Sequence, residues 1–575
     1  MIFQQFAKTL QKLEETPSRL AMTRELAQLF KRFDDNEIPP AIYMMQGKLV
    51  PAYESMEFNL SVKMVLRVLA RLNSKEVTKI YKELGDLGLV AEKITKIQSP
   101  ISKQLELLKV FEFLKEIAKD GGEGSQERKV KKLVDLLEQL DSVSAKYVVR
   151  IVIGKLRLGF STMTILDALS WSTSGDKSQS KQLEQTYSRR ADLGFLAQEY
   201  LSLRKENNKE ERKKILKNIK SEVGVPIVPA LCQRLNSAEE IIEKMSEVIA
   251  EPKYDGMRVQ LHFSNTANFK QIKAYTRNLE EIAHMFPELE KLRKNLDCES
   301  CILDAEVVGI NKNTGEIVSF QETIQRKRKH SVKEKASELP ARFYIFDLLD
   351  LNGKSLVDES LRNRKELLKR LFINNEYLVY TPYILTTDAS KLRKFHEDEL
   401  AKGLEGAVIK QADSKYVAGR KGWNWVKIKE KQGQSGKLSD TLDLVIMGYY
   451  YGRGKRSSFG MGAFLVGVIK DHKILTIAKI GTGISDEQLK QIKSELERIK
   501  TNTKPSAYKV HKNLIPDVWV EPRIVVEIAA DEITKSPVHS AGVALRFPRL
   551  MRIRSDKNWN DVTTTKELNS IQISK

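Results

Sequence analysis

The spacing of apolar and polar positions divides the chain into three stretches of different period. From residue 1 to about 222, apolar residues recur at helical spacing, as at Leu133, Val134, Leu136, Leu137 and Leu140, and strand-like alternation is scarce. Stop and start signals at Asp120-Gly121-Gly122, Gly159-Phe160-Ser161 and Ser172-Thr173-Ser174-Gly175 predict breaks between helices. The charge-dense Lys209 to Lys220 (KEERKKILKNIK) predicts a solvated helix face. Val223-Gly224-Val225-Pro226-Ile227-Val228-Pro229 then ends the helical pattern, which sets a first boundary. From there to residue 430, short β-rich runs alternate with helical stretches: Arg258–Phe263, Phe343–Phe346 and Gly406–Lys410. That is an α+β signature. The polar Lys431-Gln432-Gly433-Gln434-Ser435-Gly436 reads as a linker. Beyond it lie strands at Leu442–Ile446, Ala463–Val468, Ile474–Ala478 and Ile524–Ile528, which suit a small β-barrel; the OB-fold is one such barrel. The expected organisation is therefore an all-α domain (1–222), an α+β domain (223–430) and a β-barrel domain (437–575), with no internal repeat.

Composition narrows the function classes. A length of 575 residues fits three or four domains at a prior of about 150 residues each. With 41% hydrophobic and 30% charged residues, compact cores are feasible and global disorder is excluded. No run approaches the length needed to span a bilayer, and the start, Met1-Ile2-Phe3-Gln4-Gln5-Phe6, is not of signal-peptide type. The reading is a protein of a reducing cytoplasm. Lys and Arg number 97 against 76 Asp and Glu, a formal charge of +21. Such an excess favours a polyanionic partner, most commonly nucleic acid, over a merely solvated surface. Three cysteines cannot build a disulfide framework in a chain of this length. Cys298 and Cys301 form a CxxC, but no second pair follows at zinc-ligand spacing.

Candidate chemistry centres on Glu251-Pro252-Lys253-Tyr254-Asp255-Gly256-Met257-Arg258, between a predicted helix and a strand. A lysine acts as a nucleophile only with its lone pair free, so it must be desolvated or placed among cations to work near neutral pH. Alone, this string would pass as a surface turn.

An ordered set downstream changes that reading. Lys253, Asp255, Gly256 and Arg258 form KxDGxR. Tyr275-Thr276-Arg277-Asn278, Leu303-Asp304-Ala305-Glu306-Val307-Val308 and Phe343-Tyr344-Ile345-Phe346-Asp347 follow in order. After these come Leu404-Glu405-Gly406-Ala407-Val408-Ile409-Lys410, Trp425-Val426-Lys427-Ile428-Lys429 and, near the end, Arg554-Ser555-Asp556-Lys557. Taken together they resemble the nucleotidyltransferase superfamily of ATP-dependent DNA ligases, capping enzymes and RNA ligases. The helical first third also resembles the DNA-binding domain of archaeal and eukaryotic-type DNA ligases, through Gly154-Lys155-Leu156-Arg157-Leu158-Gly159. One departure is Ala305, where the family commonly has Gly. Another is Lys421, with Arg420 beside it, where the family often has Arg; Lys keeps the charge but loses bidentate phosphate geometry.

The resemblance implies an ATP-dependent DNA ligase acting in replication, repair and recombination. Lys253 attacks the α-phosphate of ATP to form a lysine–AMP intermediate. AMP then passes to the 5′-phosphate of a nick, and the 3′-hydroxyl displaces it. Phe346 would stack on adenine, with Glu251 at the base edge and Arg258 and Arg277 near ribose or phosphate. Lys421, Lys427 and Lys429 would face phosphate, and Lys427 and Lys429 share one face of a strand. Glu306 and Glu405 are hard oxygen ligands suited to Mg²⁺; the alternative is a salt bridge with Lys253 or Lys410. Arg554, Asp556 and Lys557 would orient pyrophosphate, or else form a surface ion cluster. The basic runs Arg326–Lys329 and Gly452–Arg456 suit contacts to a DNA backbone, or a solvated surface. The expected partner is nicked duplex DNA, with a sliding clamp as a candidate recruiter, no membrane, and a monomeric state. An RNA ligase or capping enzyme is the rival enzyme, disfavoured by the large helical domain before Lys253. An NAD-dependent ligase lacks support because the zinc-type cysteine set is missing. A non-catalytic DNA-binding relative is the rival from another class.

Overall fold

The computed structural model describes residues 1–73, 76–97, 104–202, 209–235, 237–266, 269–290, 296–318, 323, 338–371, 377–428, 441–452, 456, 459–482, 484–530 and 532–568. Three sequence expectations fall outside them: the basic run 326–329, the linker 431–436 and Lys429. Of the second basic run, 453–455 is also outside.

Up to Asn218, helices carry the chain. Their apolar positions repeat at i, i+3, i+4 and i+7, so each buries one stripe. Leu107–Lys119 buries Leu107, Val110, Phe111, Leu114 and Ile117, and Ser125–Leu137 buries Val130, Leu133, Leu136 and Leu137. The break expected at Ser172–Gly175 comes only at its end. Thr162–Ser174 is one helix, and Gly175 closes it at φ 72°, a conformation free of strain only for glycine.

Two sheets dominate the middle of the chain. The first has the order β1 (Gln233–Leu235), β11 (Trp425–Ile428), β10 (Ala407–Gln411), β2 (Val248–Pro252), β9 (Ile384–Thr386). The second runs β4 (Phe269–Thr276), β3 (Met257–Thr266), β5 (Ser300–Gly309), β6 (Ala341–Leu351), β7 (Lys354–Ser355). Strand β8 (Leu378–Tyr380) pairs in parallel with β6. Each sheet has its own apolar core. A third cluster, with Ile227, Ala230, Ile302, Leu349, Val357, Tyr416 and Trp425, joins them, and Phe346 and Cys232 pack on its edge. One expectation is corrected here: Lys253 does not follow a helix. Helix Ala238–Met245 ends earlier, and the all-buried β2 intervenes because Val248, Ile249 and Ala250 form a short apolar run.

The chain between residues 219 and 231 ties the helices to the second sheet. Val228 N–H donates to Ser188 O and Ala191 N–H to Pro226 O (2.9 and 3.0 Å). Gly224, at φ 100°, donates its N–H to His262 Nδ1 (3.0 Å), and Gln260 Oε1 accepts from Ile227 N–H (2.8 Å).

From Leu442 onward, an eight-stranded sheet wraps one continuous core that includes Leu444, Ile446, Phe464, Val466, Ile477 and Ile528. It contains β12 (Leu442–Tyr450), β13 (Ala463–Lys470), β14 (Lys473–Ile480), β15 (Lys500–Thr501), β16 (Tyr508–Lys509), β17 (Val518–Val520), β18 (Val525–Ala529) and β21 (Arg549–Ile553). By packing density, residues 1–68 and 95–429 form one compact unit, and 69–94 with 430–575 another. Among the described residues no helix is long and apolar enough to cross a membrane.

Candidate active site

A cavity of about 650 Å³ opens where the two middle sheets meet. The first sheet supplies Glu251, Lys410 and Lys427, the second Arg258, Glu306 and Phe346, and adjoining loops Lys253, Arg277 and Arg420. Of the residues singled out from the sequence, Glu251, Lys253, Arg258, Arg277, Glu306, Phe346 and Lys427 all line it.

Lys253 is held by extension of the β2–β10 ladder. Glu251 pairs with Val408 and Pro252 with Ala407; then Lys253 N–H donates to Gly406 O (2.9 Å) and Glu405 N–H to Lys253 O (3.1 Å). Gly406 sits at φ 115°, and a Cβ there would strike the His396 ring. A Cβ on Gly256 would collide with the Val307 carbonyl, so the turn after Lys253 must be glycine to lie against β5. The Lys253 ammonium pairs with Glu405. Burial pulls its pKa below that of an ordinary lysine, and Lys427 adds to this, against Glu306 and Asp255.

Glu306 projects from β5 into the same space. Burial pushes its carboxyl up to about 7 against the pull of Arg258 and Lys253. It has no hydrogen bond or ion pair among the described residues. Glu405 differs, since its carboxylate already pairs with the lysine.

Arg258 is not free to follow a ligand. Its Nε and Nη2 donate to the two Asp304 oxygens (3.0 and 2.6 Å), and Nη1 donates to Ala230 O (2.5 Å). Tyr416 Oη donates to Asp304 as well (2.8 Å). This buried bidentate pair fixes the guanidinium as a wall of the cavity. Sequence reading missed Asp304 and Tyr416; the alternation of Asp304 and Glu306 on one strand was the available signal.

At one end, Glu251 is 2% exposed and its carboxylate lies between Lys365 and Lys410, the latter at 2.6 Å. Lys410 Nζ lies 4.2 Å from the ring centres of both Phe346 and Trp425, and those two rings meet edge-on. Thr381 also lines this end. Lys365 and Thr381 carried no signal in the linear sequence, and Trp425 was visible only as the first residue of the Trp425–Lys429 motif, with no role assigned.

At the other end cations gather. Lys427 faces Arg234 across the parallel β1–β11 register. Burial lowers its pKa, and Arg234, Arg420 and Arg277 lower it further. Lys427, Arg277 and Arg420 have no ion pair among the described residues. Lys421 lies elsewhere: it pairs with Glu184 of helix Ser180–Arg189 (2.6 Å). Its neighbour Arg420 is the one that reaches the cavity.

Arg554, Asp556 and Lys557 form a cluster beside β12. Arg554 donates to both Asp443 oxygens (3.0 and 3.1 Å) and to Asp556 (2.8 and 2.7 Å), and Lys557 Nζ lies 2.7 Å from Asp443 Oδ2. Asp443, the centre of this cluster, went unnoticed in the sequence. Lys155 and Arg157 follow helix Ser142–Val152 in a turn where Gly154, Arg157 and Gly159 have positive φ.

Comparison with known proteins covers the whole chain. Residues 2–170 match the family described as DNA ligase N terminus, 229–429 the ATP dependent DNA ligase domain, and 457–557 the ATP dependent DNA ligase C terminal region. A probable DNA ligase of Dictyoglomus turgidum is 40% identical over 582 aligned positions, covering 99% of this chain and 97% of that protein. DNA ligase 2 of Thermofilum pendens is 35% identical, covering 97% and 95% respectively. A solved structure titled Pmar-Lig_PreS3 superposes with a TM-score of 0.55 at 17% identity, covering 96% of this chain and 99% of that one.

Proposed function

We infer the residue roles below from the premise that this chain belongs to the ATP-dependent DNA ligase family. It joins DNA with consumption of ATP and release of AMP and diphosphate, through a lysine–AMP intermediate. Lys253 is the nucleophile. Its neutral amine attacks the α-phosphorus of ATP, the N–P bond forms, the bond to the β-phosphate oxygen breaks, and pyrophosphate leaves. The ammonium first gives one proton to Glu405, which already holds it, and the second, lost from nitrogen as the N–P bond forms, leaves with pyrophosphate. A buried amine beside Lys427 reaches its neutral form more readily than an exposed one.

Phe346 carries the adenine, with Glu251 at its edge, and Arg258 is a rigid wall beside the ribose. Lys427, Arg277 and Arg420 stabilise charge on the phosphates, where cations left unpaired by the protein have the most effect. Lys429 acts with Lys427 on the phosphates, while Lys421 serves the contact with Glu184. Glu306 fits Mg²⁺: it is a hard oxygen ligand at the cavity with no partner among the described residues, and Mg²⁺ takes few carboxylates alongside phosphate and water. Glu405 joins it after passing its proton to solvent. When bound, the ion neutralises charge building on the transferring phosphate. Arg554 and Lys557 meet pyrophosphate during adenylation and pair with Asp443 otherwise, and Asp556 holds the Arg554 guanidinium in place. The domains are 1–222 for duplex binding, 223–430 for adenylation and 437–575, an OB-fold barrel. The substrate is nicked duplex DNA in the cytoplasm.

The observation that carries this reading is one cavity holding a desolvated lysine, an aromatic plane, and a carboxylate and several cations that have no partner among the described residues. The test is incubation with labelled ATP, GTP or NAD, then addition of nicked duplex. ATP should leave an acid-labile AMP adduct on Lys253 that passes to the nick; no adduct from ATP, or one on another residue, overturns it.

A further inference from the structure

Thr381 is 1% exposed, and its hydroxyl has no hydrogen-bond partner among the described residues although it lines the cavity. A buried hydroxyl left unpaired is destabilising, so such a group in a cleft points to a ligand that completes it. Its place in the fold says which part of the ligand. Tyr380 pairs with Ile345 in the β6–β8 register, and Thr381 N–H donates to Ile345 O (2.9 Å). Thr381 is therefore the lateral neighbour of Phe346. Lys365 Nζ lies 5.2 Å from the centre of the adjoining Tyr380 ring and pairs with Glu251. Lys410 also pairs with Glu251 and lies 4.2 Å from the Phe346 ring centre, so Thr381 and Glu251 flank the same ring.

We propose that Thr381 is a base-reading residue, whose hydroxyl donates to N1 of an adenine stacked on Phe346 while the adjacent 6-amino group donates to Glu251. Acceptor and donor then alternate along the protein edge as donor and acceptor alternate along the adenine edge. Lys365 is a positioning residue that acts through Glu251, holding its carboxylate toward the base. Because a hydroxyl can turn to accept from the N1–H of guanine, Thr381 reads the presence of a nitrogen at this position. The choice of adenine over guanine rests with Glu251, whose carboxylate repels the guanine 6-oxo group.

This proposal rests on Lys253 adenylation with Phe346 as the base platform, and the experiment separates the two. Adenylation is followed with ATP, with 1-deaza-ATP (N1 replaced by C–H) and with GTP, for the wild type, Thr381→Val and Thr381→Ser. The wild type should show about a tenfold higher KM for 1-deaza-ATP than for ATP, the size of one buried hydrogen bond, with kcat little changed. Thr381→Val should raise KM for ATP by about the same factor, leave KM for 1-deaza-ATP where it was, and keep the ATP-over-GTP preference. Thr381→Ser should restore the discrimination. A wild type indifferent to 1-deaza-ATP overturns the proposal even if Thr381→Val fails to fold. So does a Thr381→Val protein that still discriminates, or one that loses the ATP-over-GTP preference instead. A wild type that forms no AMP adduct overturns the underlying reading.

Discussion

The two ends of the cavity handle charge in opposite ways. At the base end, Lys365, Lys410 and Glu251 are all at most 2% exposed, and the two ammonium groups share one carboxylate. At the phosphate end, Lys427, Arg277 and Arg420 crowd together without a partner among the described residues, and burial, with the neighbouring arginines adding, lowers the Lys427 pKa. A buried charge removed from its partner is costly, so the base end must be complete before ligand arrives. A surplus of like charge is tolerable near solvent and becomes an asset only when a polyanion enters. The first arrangement braces a fixed surface for an uncharged base; the second stores attraction for charge that moves. Lys253 stands between them, desolvated like one end and bordered by Lys427 of the other.

Five substitutions or conditions would break or sharpen this contrast. The largest effect belongs to the residue between the ends: Lys253→Ala should abolish the AMP adduct, read by intact mass. Lys253→Arg should do nearly the same, since a guanidinium stays protonated. At the phosphate end, Lys427→Met should slow adenylation by about 10²–10³ while leaving the thermal midpoint unchanged or raised. A large fall in thermal stability would refute the idea of surplus charge there. The base end predicts the reverse weighting. Glu251→Gln leaves two buried ammonium groups short of a counter-charge and should destabilise by about 3–5 kcal/mol in denaturant unfolding. The double change Arg554→Ala and Lys557→Ala should reduce adenylation by ATP, yet protein already carrying AMP should still seal a nick. Equal loss in both steps would remove these residues from pyrophosphate handling.

The smallest effect at neutral pH concerns His262, buried between Gly224 N–H and Gln260. It makes an edge contact with Tyr275 and lies within the field of Lys273. Burial, with Lys273 adding, depresses its pKa from 6.5 to about 3. The folded state binds the proton less well than the unfolded one, so stability should be intact above 6.5 and should fall as pH drops toward 3. In His262→Gln that part of the acid slope should vanish. An unchanged slope in urea midpoints across this window would show that the imidazole does not titrate on unfolding.

The family, the order of helical and strand-rich regions and the presence of Lys253 at the cavity were legible in the linear chain because each leaves a local trace. Helices repeat every 3.6 residues, strands alternate, and a chemical motif such as Lys253-x-Asp255-Gly256-x-Arg258 is contiguous. The sequence placed a helix before Lys253, and β2 stands there, because five residues are too short a window for periodicity to separate the two. Only the folded chain could pair Arg258 with Asp304, set Lys365 beside Glu251, or turn Arg420 toward the cavity and Lys421 toward Glu184. These partners are separated by up to 237 residues, as the Glu184–Lys421 positions show. The resemblance to a family named Arg258, Glu251 and Lys421 as groups near the nucleotide. Which of them is a fixed wall, which a braced acceptor and which turned away depends on sheet register and on the burial of charge. Those are properties of the packed structure, and no stretch of neighbouring residues encodes them.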